Sequence, residues 1–253
     1  MSIVLITRPE GELDRILIAS GFSVINCPVI ETVECDDHNE LIGYLNDLAG
    51  FDGVFVTSRH AAEILAKHRN AQLGDYRGRV FILGRRSFDI LNDLAHDVVF
   101  YPDAGTADEM LDRIGDEALA GKRWLFVRGD RSAGTITERL SGIAELTECV
   151  VYQTRDLVVP PALKKKIEEL SGNGEIYVAC FFSPSGVESF ARQFGAEMLG
   201  KMRLAAIGKT TAKPLSDLGF SVDLVPDAPT MGDLAKAIIA GRPLAASRAR
   251  VRI

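Results

Sequence analysis

Short apolar runs alternate with amphipathic stretches along the chain. Ile3–Thr7 is apolar almost without a break, the pattern of a strand covered on both faces. Pro9 is expected to open a helix with Leu13, Ile16 and Leu17 on one side, closed by Gly21. Phe22–Val33 reads as a long extended segment interrupted by Pro28, and Asp36–Glu40 as a polar linker. Helices are expected over Leu41–Leu48 and around Ala62, Leu65 and Ala66, with a strand at Val54–Thr57 between them. Val80–Leu91 follows as strand, glycine turn (Gly84) and helix, and Val98–Tyr101 is a further strand. Thr106 and Glu109 have the spacing of a capping box, for a helix with Met110, Leu111 and Ile114 inward.

The same plan then restarts. Trp124–Val127 corresponds to Ile3–Thr7, with Arg128 standing where Arg8 stood. A helix carrying Ile136 and Leu140 leads to a second long extended segment, Leu146–Val159. Ile176–Phe182 corresponds to Val54–Thr57, and its helix sets Val187, Phe190, Ala191 and Phe194 on one face. Leu204–Ile207, Gly208 and a helix repeat the Val80–Leu91 unit, and a strand at Val222–Val225 precedes a last helix begun at Thr230. Gly84 and Gly208, Pro102 and Pro226, and Thr106 and Thr230 share one offset of 124 residues, which points to a duplication. The tail Ala245–Ile253 carries Arg248, Arg250 and Arg252 without a helical stripe and reads as frayed.

Alternating strands and helices make each half a parallel α/β sheet. The long segments exceed an ordinary strand of about 5–6 residues and are candidates to cross between domains, near 22–36 and 146–159. If both cross, residues 1–33 with 155–253 form one domain and 36–152 the other. An unswapped division into 1–120 and 121–253 fits the periodicity equally well.

Composition narrows the function. The 253 residues suit two domains, and 47% apolar with 25% charged residues is ordinary for a folded soluble chain. A net charge of −6 argues against nucleic-acid binding through overall basicity. Cys27, Cys35, Cys149 and Cys180 include no C-x-x-C pair, so a reducing cytoplasmic setting is expected. His38, His60, His68 and His96 are scattered, with no ligand spacing, and no metal site is expected. No apolar run approaches the ~20 residues of a membrane span, and the start lacks a signal-peptide pattern.

Ligands of open parallel sheets bind beyond the carboxyl ends of the strands. The residues expected there are Arg8; Ser58 and Arg59; Gly84, Arg85, Arg86 and Ser87; Arg128 and Arg131; Ser183 and Ser185; and Lys209, Thr210 and Thr211. Basic and hydroxyl groups at every strand end suggest an edge for anions. Each hydroxyl also suits a helix N-cap, and each arginine a solvated loop. No G-x-G-x-x-G, Walker loop, G-x-S-x-G elbow or nucleophilic set occurs, so an enzyme built this way would work by positioning and charge stabilisation.

VLITRP at Val4–Pro9, FVTSRHAAEIL at Phe55–Leu65, VVYQT at Val150–Thr154, FFSPSGVESF at Phe181–Phe190 and AAIGKTTAKPL at Ala205–Leu215 together resemble the uroporphyrinogen-III synthase family. The resemblance implies a cytoplasmic monomer of two flavodoxin-like α/β domains, with helices on both sheet faces, joined by a two-stranded ladder. It implies cofactor-free cyclisation of linear hydroxymethylbilane, with loss of water and inversion of the last pyrrole, and an anion-lined interdomain cleft for that octacarboxylate. Carried over by position, Tyr152 matches a tyrosine that assists departure of the hydroxyl. Arg8, Ser58, Ser87, Arg128, Ser183, Ser185, Arg203, Thr210 and Thr211 are the corresponding substrate-binding candidates. His60 replaces a common asparagine, Ser87 a threonine, and Ile143 a glycine. The competing readings are a non-catalytic binder of a polyanionic small molecule and a nucleotide-dependent enzyme, the latter disfavoured by the missing phosphate loops.

Overall fold

Ten strands form from the apolar runs. They are β1 (Ile3–Ile6), β2 (Ser23–Asn26), β3 (Ile30–Glu34), β4 (Gly53–Val56) and β5 (Arg79–Ile82). After these come β6 (Val98–Phe100), β7 (Arg123–Gly129), β8 (Glu145–Asp156), β9 (Ile176–Phe181) and β10 (Arg203–Ala206). A computed structural model describes residues 2–69, 71–132 and 134–242; the tail expected to be frayed, Ala245–Ile253, lies outside the described residues. The chain divides into two compact units, Met1–Val29 with Leu157–Ile253, and Ile30–Asp156. The first unit takes β1 and β2 from the first half of the chain and β9 and β10 from the second. The other unit takes β3–β6 together with β7 and β8.

In the first unit the order is β10-β9-β1-β2, all parallel. Both faces of β1 are covered, since Val4, Leu5 and Ile6 are each fully buried. Leu13 and Leu17 of helix Glu12–Ala19 and Leu234 and Ile238 of helix Met231–Ala240 pack on one face. The expected strand Val222–Val225 shrinks to one bridge, Ala205 to Leu224. Pro9 does not start its helix; Gly11 is the N-cap, with Asp14 closing the box onto its backbone N–H at 3.0 Å.

In the second unit the order is β3-β8-β7-β4-β5-β6, parallel except for β3. The strands separate two cores by simple alternation. Val54, Val56, Leu125 and Val127 face one side, and Phe55, Trp124 and Phe126 the other. The second side is aromatic, with Phe55 4.9 Å from Trp124 and 5.6 Å from Phe81 between ring centres. Thr106 caps helix Ala107–Ile114 with the complete box expected of it. The segments expected as a linker and a bare crossing belong to this unit: Asn39–Asn46 is helical, and β8 runs for 12 residues beside both β7 and β3. The antiparallel β3–β8 pairing forms the two-stranded ladder next to the unit boundaries.

Leaving out β3, the second sheet reads β8-β7-β4-β5-β6, so β7 and β8 occupy the places that β1 and β2 occupy in the first. Both sheets follow the flavodoxin-like order 2-1-3-4-5, whose strand order reverses between the first and third strands. That reversal lies between β1 and β9 in one unit and between β7 and β4 in the other. Ligand crevices are expected beyond the carboxyl ends of those two pairs.

Candidate active site

Ser58 follows β4 at the reversal of the second unit and is the N-cap of helix Arg59–Lys67. Its Oγ accepts the Ala61 N–H at 3.1 Å, so the capping role is real. The same oxygen accepts a second bond, from the Tyr152 hydroxyl at 3.0 Å. Tyr152 reaches it through an irregularity in β8: Arg128 pairs with Val150, but Gly129 pairs with Tyr152, leaving Val151 as the extra residue. A side chain on Gly129 would place its Cβ 2.3 Å from the Tyr152 ring, so glycine makes room for the tyrosine. Burial raises the Tyr152 pKa and the Ser58 bond opposes the rise in part. Tyr152 is therefore held as a neutral proton donor near neutral pH.

The His60 ring lies 5.5 Å from that of Tyr152. His60 keeps an exposed edge, yet the protein atoms crowding the ring hold its pKa below the ordinary value, with Glu63 opposing. Tyr152, His60, Thr32, Glu34, Glu63 and Lys67 border a cavity of about 220 Å³ within this unit. Its wall offers both donors and acceptors.

Ser87 stands at the third position of helix Arg85–Leu91, and Thr211 at the third of helix Lys209–Asp217. Both are buried and neither is an N-cap. The repeat is not carried through the preceding turns, because Gly84 has φ +87° and Gly208 is extended at −176°. Thr210 precedes Thr211 with an exposed side chain.

In the first unit, the reversal carries Arg8 after β1 and Ser183 after β9. Ser183 caps helix Pro184–Phe194, accepting the Gly186 N–H at 3.2 Å, and its Oγ lies 3.3 Å from that of Ser185. The Arg8 guanidinium lies over the Phe182 ring, 5.1 Å from its centre, and reaches Met231 Sδ at 3.7 Å. Among the described residues no carboxylate pairs with it.

Two expected anion contacts take other roles. Arg128 is tied down by its own unit: it donates to Glu148 at 3.0 Å, to Gly129 O at 2.8 Å and to Ser132 Oγ at 3.0 Å. Arg203 begins β10, at the amino end of the strand and away from the carboxyl-end rim. There it packs on the Tyr177 ring, donates to the Tyr177 hydroxyl at 2.6 Å and pairs with Asp223 at 3.6 Å. Arg59, Arg85 and Arg131 are each paired with a carboxylate (Glu63, Asp89 and Asp156), so much of the expected positive edge is neutralised from within.

The family described as Uroporphyrinogen-III synthase HemD matches residues 11–236. This chain belongs to the uroporphyrinogen-III synthase family. Members of that family are lyases of tetrapyrrole biosynthesis that act on hydroxymethylbilane. The uroporphyrinogen-III synthase of Chlorobaculum parvum is 28% identical over 250 residues, covering 94% of this chain and 98% of the relative. Two solved structures share the fold. A mutant uroporphyrinogen III synthase of Thermus thermophilus aligns at TM-score 0.68 with 16% identity, over 93% of this chain and 96% of that one. The enzyme of Helicobacter pylori aligns at 0.59 with 17% identity, over 96% and 100%.

For a uroporphyrinogen-III synthase family member, three features here escape sequence reading. Gly129 looks like a turn residue until Tyr152 is seen against it. Glu148, 20 residues from Arg128, gives no sign that it will neutralise that arginine. His38 and His68, scattered in sequence, place their rings 4.3 Å apart between centres, beside Glu34. A capping signal identified Ser58 and Ser183; nothing local marked the rest.

Proposed function

We propose that this chain converts linear hydroxymethylbilane to uroporphyrinogen III, as a cytoplasmic monomer needing no cofactor for the reaction. The single observation that carries the proposed chemistry is the neutral Tyr152 hydroxyl, positioned by Ser58 and bordering a cavity. In the first step the carbon–oxygen bond of the substrate's hydroxymethyl group breaks. Its electron pair leaves with oxygen, which takes the Tyr152 proton and departs as water. The resulting electrophilic carbon is attacked by the substituted position of the last pyrrole, giving a spiro intermediate. That intermediate fragments and recloses with the ring inverted. The pyrrole proton released on reclosure restores the tyrosine.

Substrate carboxylates are proposed to be held by Arg8 and by the hydroxyls at the strand ends: Ser183, Ser185, Thr210 and Thr211 in one unit, Ser58 and Ser87 in the other. Arg128 supports the site by holding the β7 end. The test is incubation with freshly made hydroxymethylbilane and separation of the product isomers. The type III isomer is expected above the uncatalysed background. Tight binding with only the type I isomer would make the chain a tetrapyrrole binder instead.

A further inference from the structure

Glu34 ends β3, His38 immediately precedes helix Asn39–Asn46, and His68 immediately follows helix Arg59–Lys67. Three separate elements of one unit thus converge on one point. His38 Nε2 lies 2.9 Å from Glu34 Oε1, and His68 Nε2 lies 3.4 Å from the same oxygen. All three donor atoms lie within 4.8 Å of one another. The His38 side chain is 9% exposed, His68 22% and Glu34 35%, so the atoms meet in a recess with one open side.

Two imidazoles turning their Nε2 atoms to one carboxylate oxygen is a costly use of three polar groups if hydrogen bonding is the whole purpose. One carboxylate and two imidazole nitrogens are also the ligand set of open zinc sites, in which a fourth position is left to water. Tetrahedral bonds of about 2.0–2.2 Å set ligand atoms about 3.3 Å apart. The present spacing needs only side-chain adjustment to reach that. The obstacle is Lys67, whose ammonium lies 2.8 and 3.0 Å from the two Glu34 oxygens. Its side chain is 62% exposed and swings into solvent without breaking a core contact.

We propose that Glu34, His38 and His68 form a binding site for a divalent transition-metal ion of zinc's class, with Lys67 as the built-in competitor for its carboxylate. Imidazole with carboxylate suits zinc, nickel and copper better than magnesium or calcium, which prefer all-oxygen shells. The inference does not rest on the tetrapyrrole reaction, and that reaction needs no ion there. Glu34 and Lys67 also border the Tyr152 cavity, so an ion held here would sit next to it.

The experiment is calorimetric titration of the purified full chain with zinc chloride, with cobalt(II) absorption as a spectroscopic reading of the ligand field. One zinc per chain is expected, at micromolar affinity or tighter. Glu34→Gln and His68→Gln should each weaken it by at least ~10-fold. Lys67→Met should tighten it, because it frees the carboxylate while leaving every ligand in place. Zinc should also raise the melting temperature of the parent chain and of Lys67→Met, and not that of His38→Gln/His68→Gln. If the histidine variants do not fold, Lys67→Met decides alone. No zinc binding in the micromolar range overturns the proposal. So does binding indifferent to both Glu34→Gln and Lys67→Met, which would place the ion on other groups.

Discussion

Tyr152 and Ser58 share one hydrogen bond of 3.0 Å, and Ser58 Oγ also holds the first turn of helix Arg59–Lys67 through Ala61. A fold-stabilising cap and the proposed proton donor therefore meet on one oxygen. Ser58→Ala should lower stability by about 1 kcal/mol through the lost cap. It should lower turnover as well, because the tyrosine loses its orienting partner. Thermal melts and steady-state rates at matched folded fraction check both. A stability loss with unchanged turnover would leave Ser58 a cap and nothing more.

Gly129→Ala tests how Tyr152 is seated. The added methyl would fall 2.3 Å from the ring, so the ring or β7 must move. A cost of about 1–3 kcal/mol is expected from denaturant unfolding, as for overpacking elsewhere. Turnover should fall at least as far as in Tyr152→Phe, because the hydroxyl is displaced along with the ring.

His60 gives the second unit a pH dependence of known sign. Its pKa is lowered in the folded chain, chiefly by burial, so the unfolded chain binds the proton more readily. Its contribution is present above the ordinary histidine value of about 6.5 and is lost as pH falls through the lower folded value. Stability measured from pH 7 down to 5 should fall less steeply in His60→Gln. An NMR titration midpoint for His60 at or above the ordinary value would contradict this.

Arg8 and Arg128, equivalent by position in the two halves, should behave differently when replaced by alanine. Arg8 has no carboxylate partner among the described residues, so Arg8→Ala should weaken substrate binding, and the loss should shrink as salt rises. Arg128 is 18% exposed and paired with Glu148, whose own pKa is lowered by Thr137 first and Arg128 second. Arg128→Ala should therefore cost about 1–2 kcal/mol of stability, with little salt-dependent change in affinity. Binding titrations at low and high salt separate the two.

The fold was legible because its strands announce themselves. Val54-Phe55-Val56 and Trp124–Val127 are apolar at every position, which only a sheet covered on both faces requires. Thr106 with Glu109 marked its helix start for a local reason. What stayed hidden depends on distant partners. Pro9 was read as a helix start, but the capping box at Gly11 and Asp14 begins the helix later. Val222–Val225 has strand composition, yet only Leu224 finds a partner, on β10. Arg203 and Arg128 are both arginines beside strands. Which end of the strand each occupies, and which acid answers it, is set by tertiary packing that no spacing encodes. The approach of His38 to His68 joins the start of one helix to the end of another, so periodicity could not reveal it.

The most direct measurement compares Tyr152→Phe with the parent chain for the rate of type III isomer formation and for product affinity. The change removes one oxygen from a ring that otherwise keeps its packing. The account predicts type III turnover reduced by ~10²–10⁴-fold with product affinity nearly unchanged. Equal losses in rate and affinity, or an unchanged rate, would contradict the assignment of Tyr152 as proton donor.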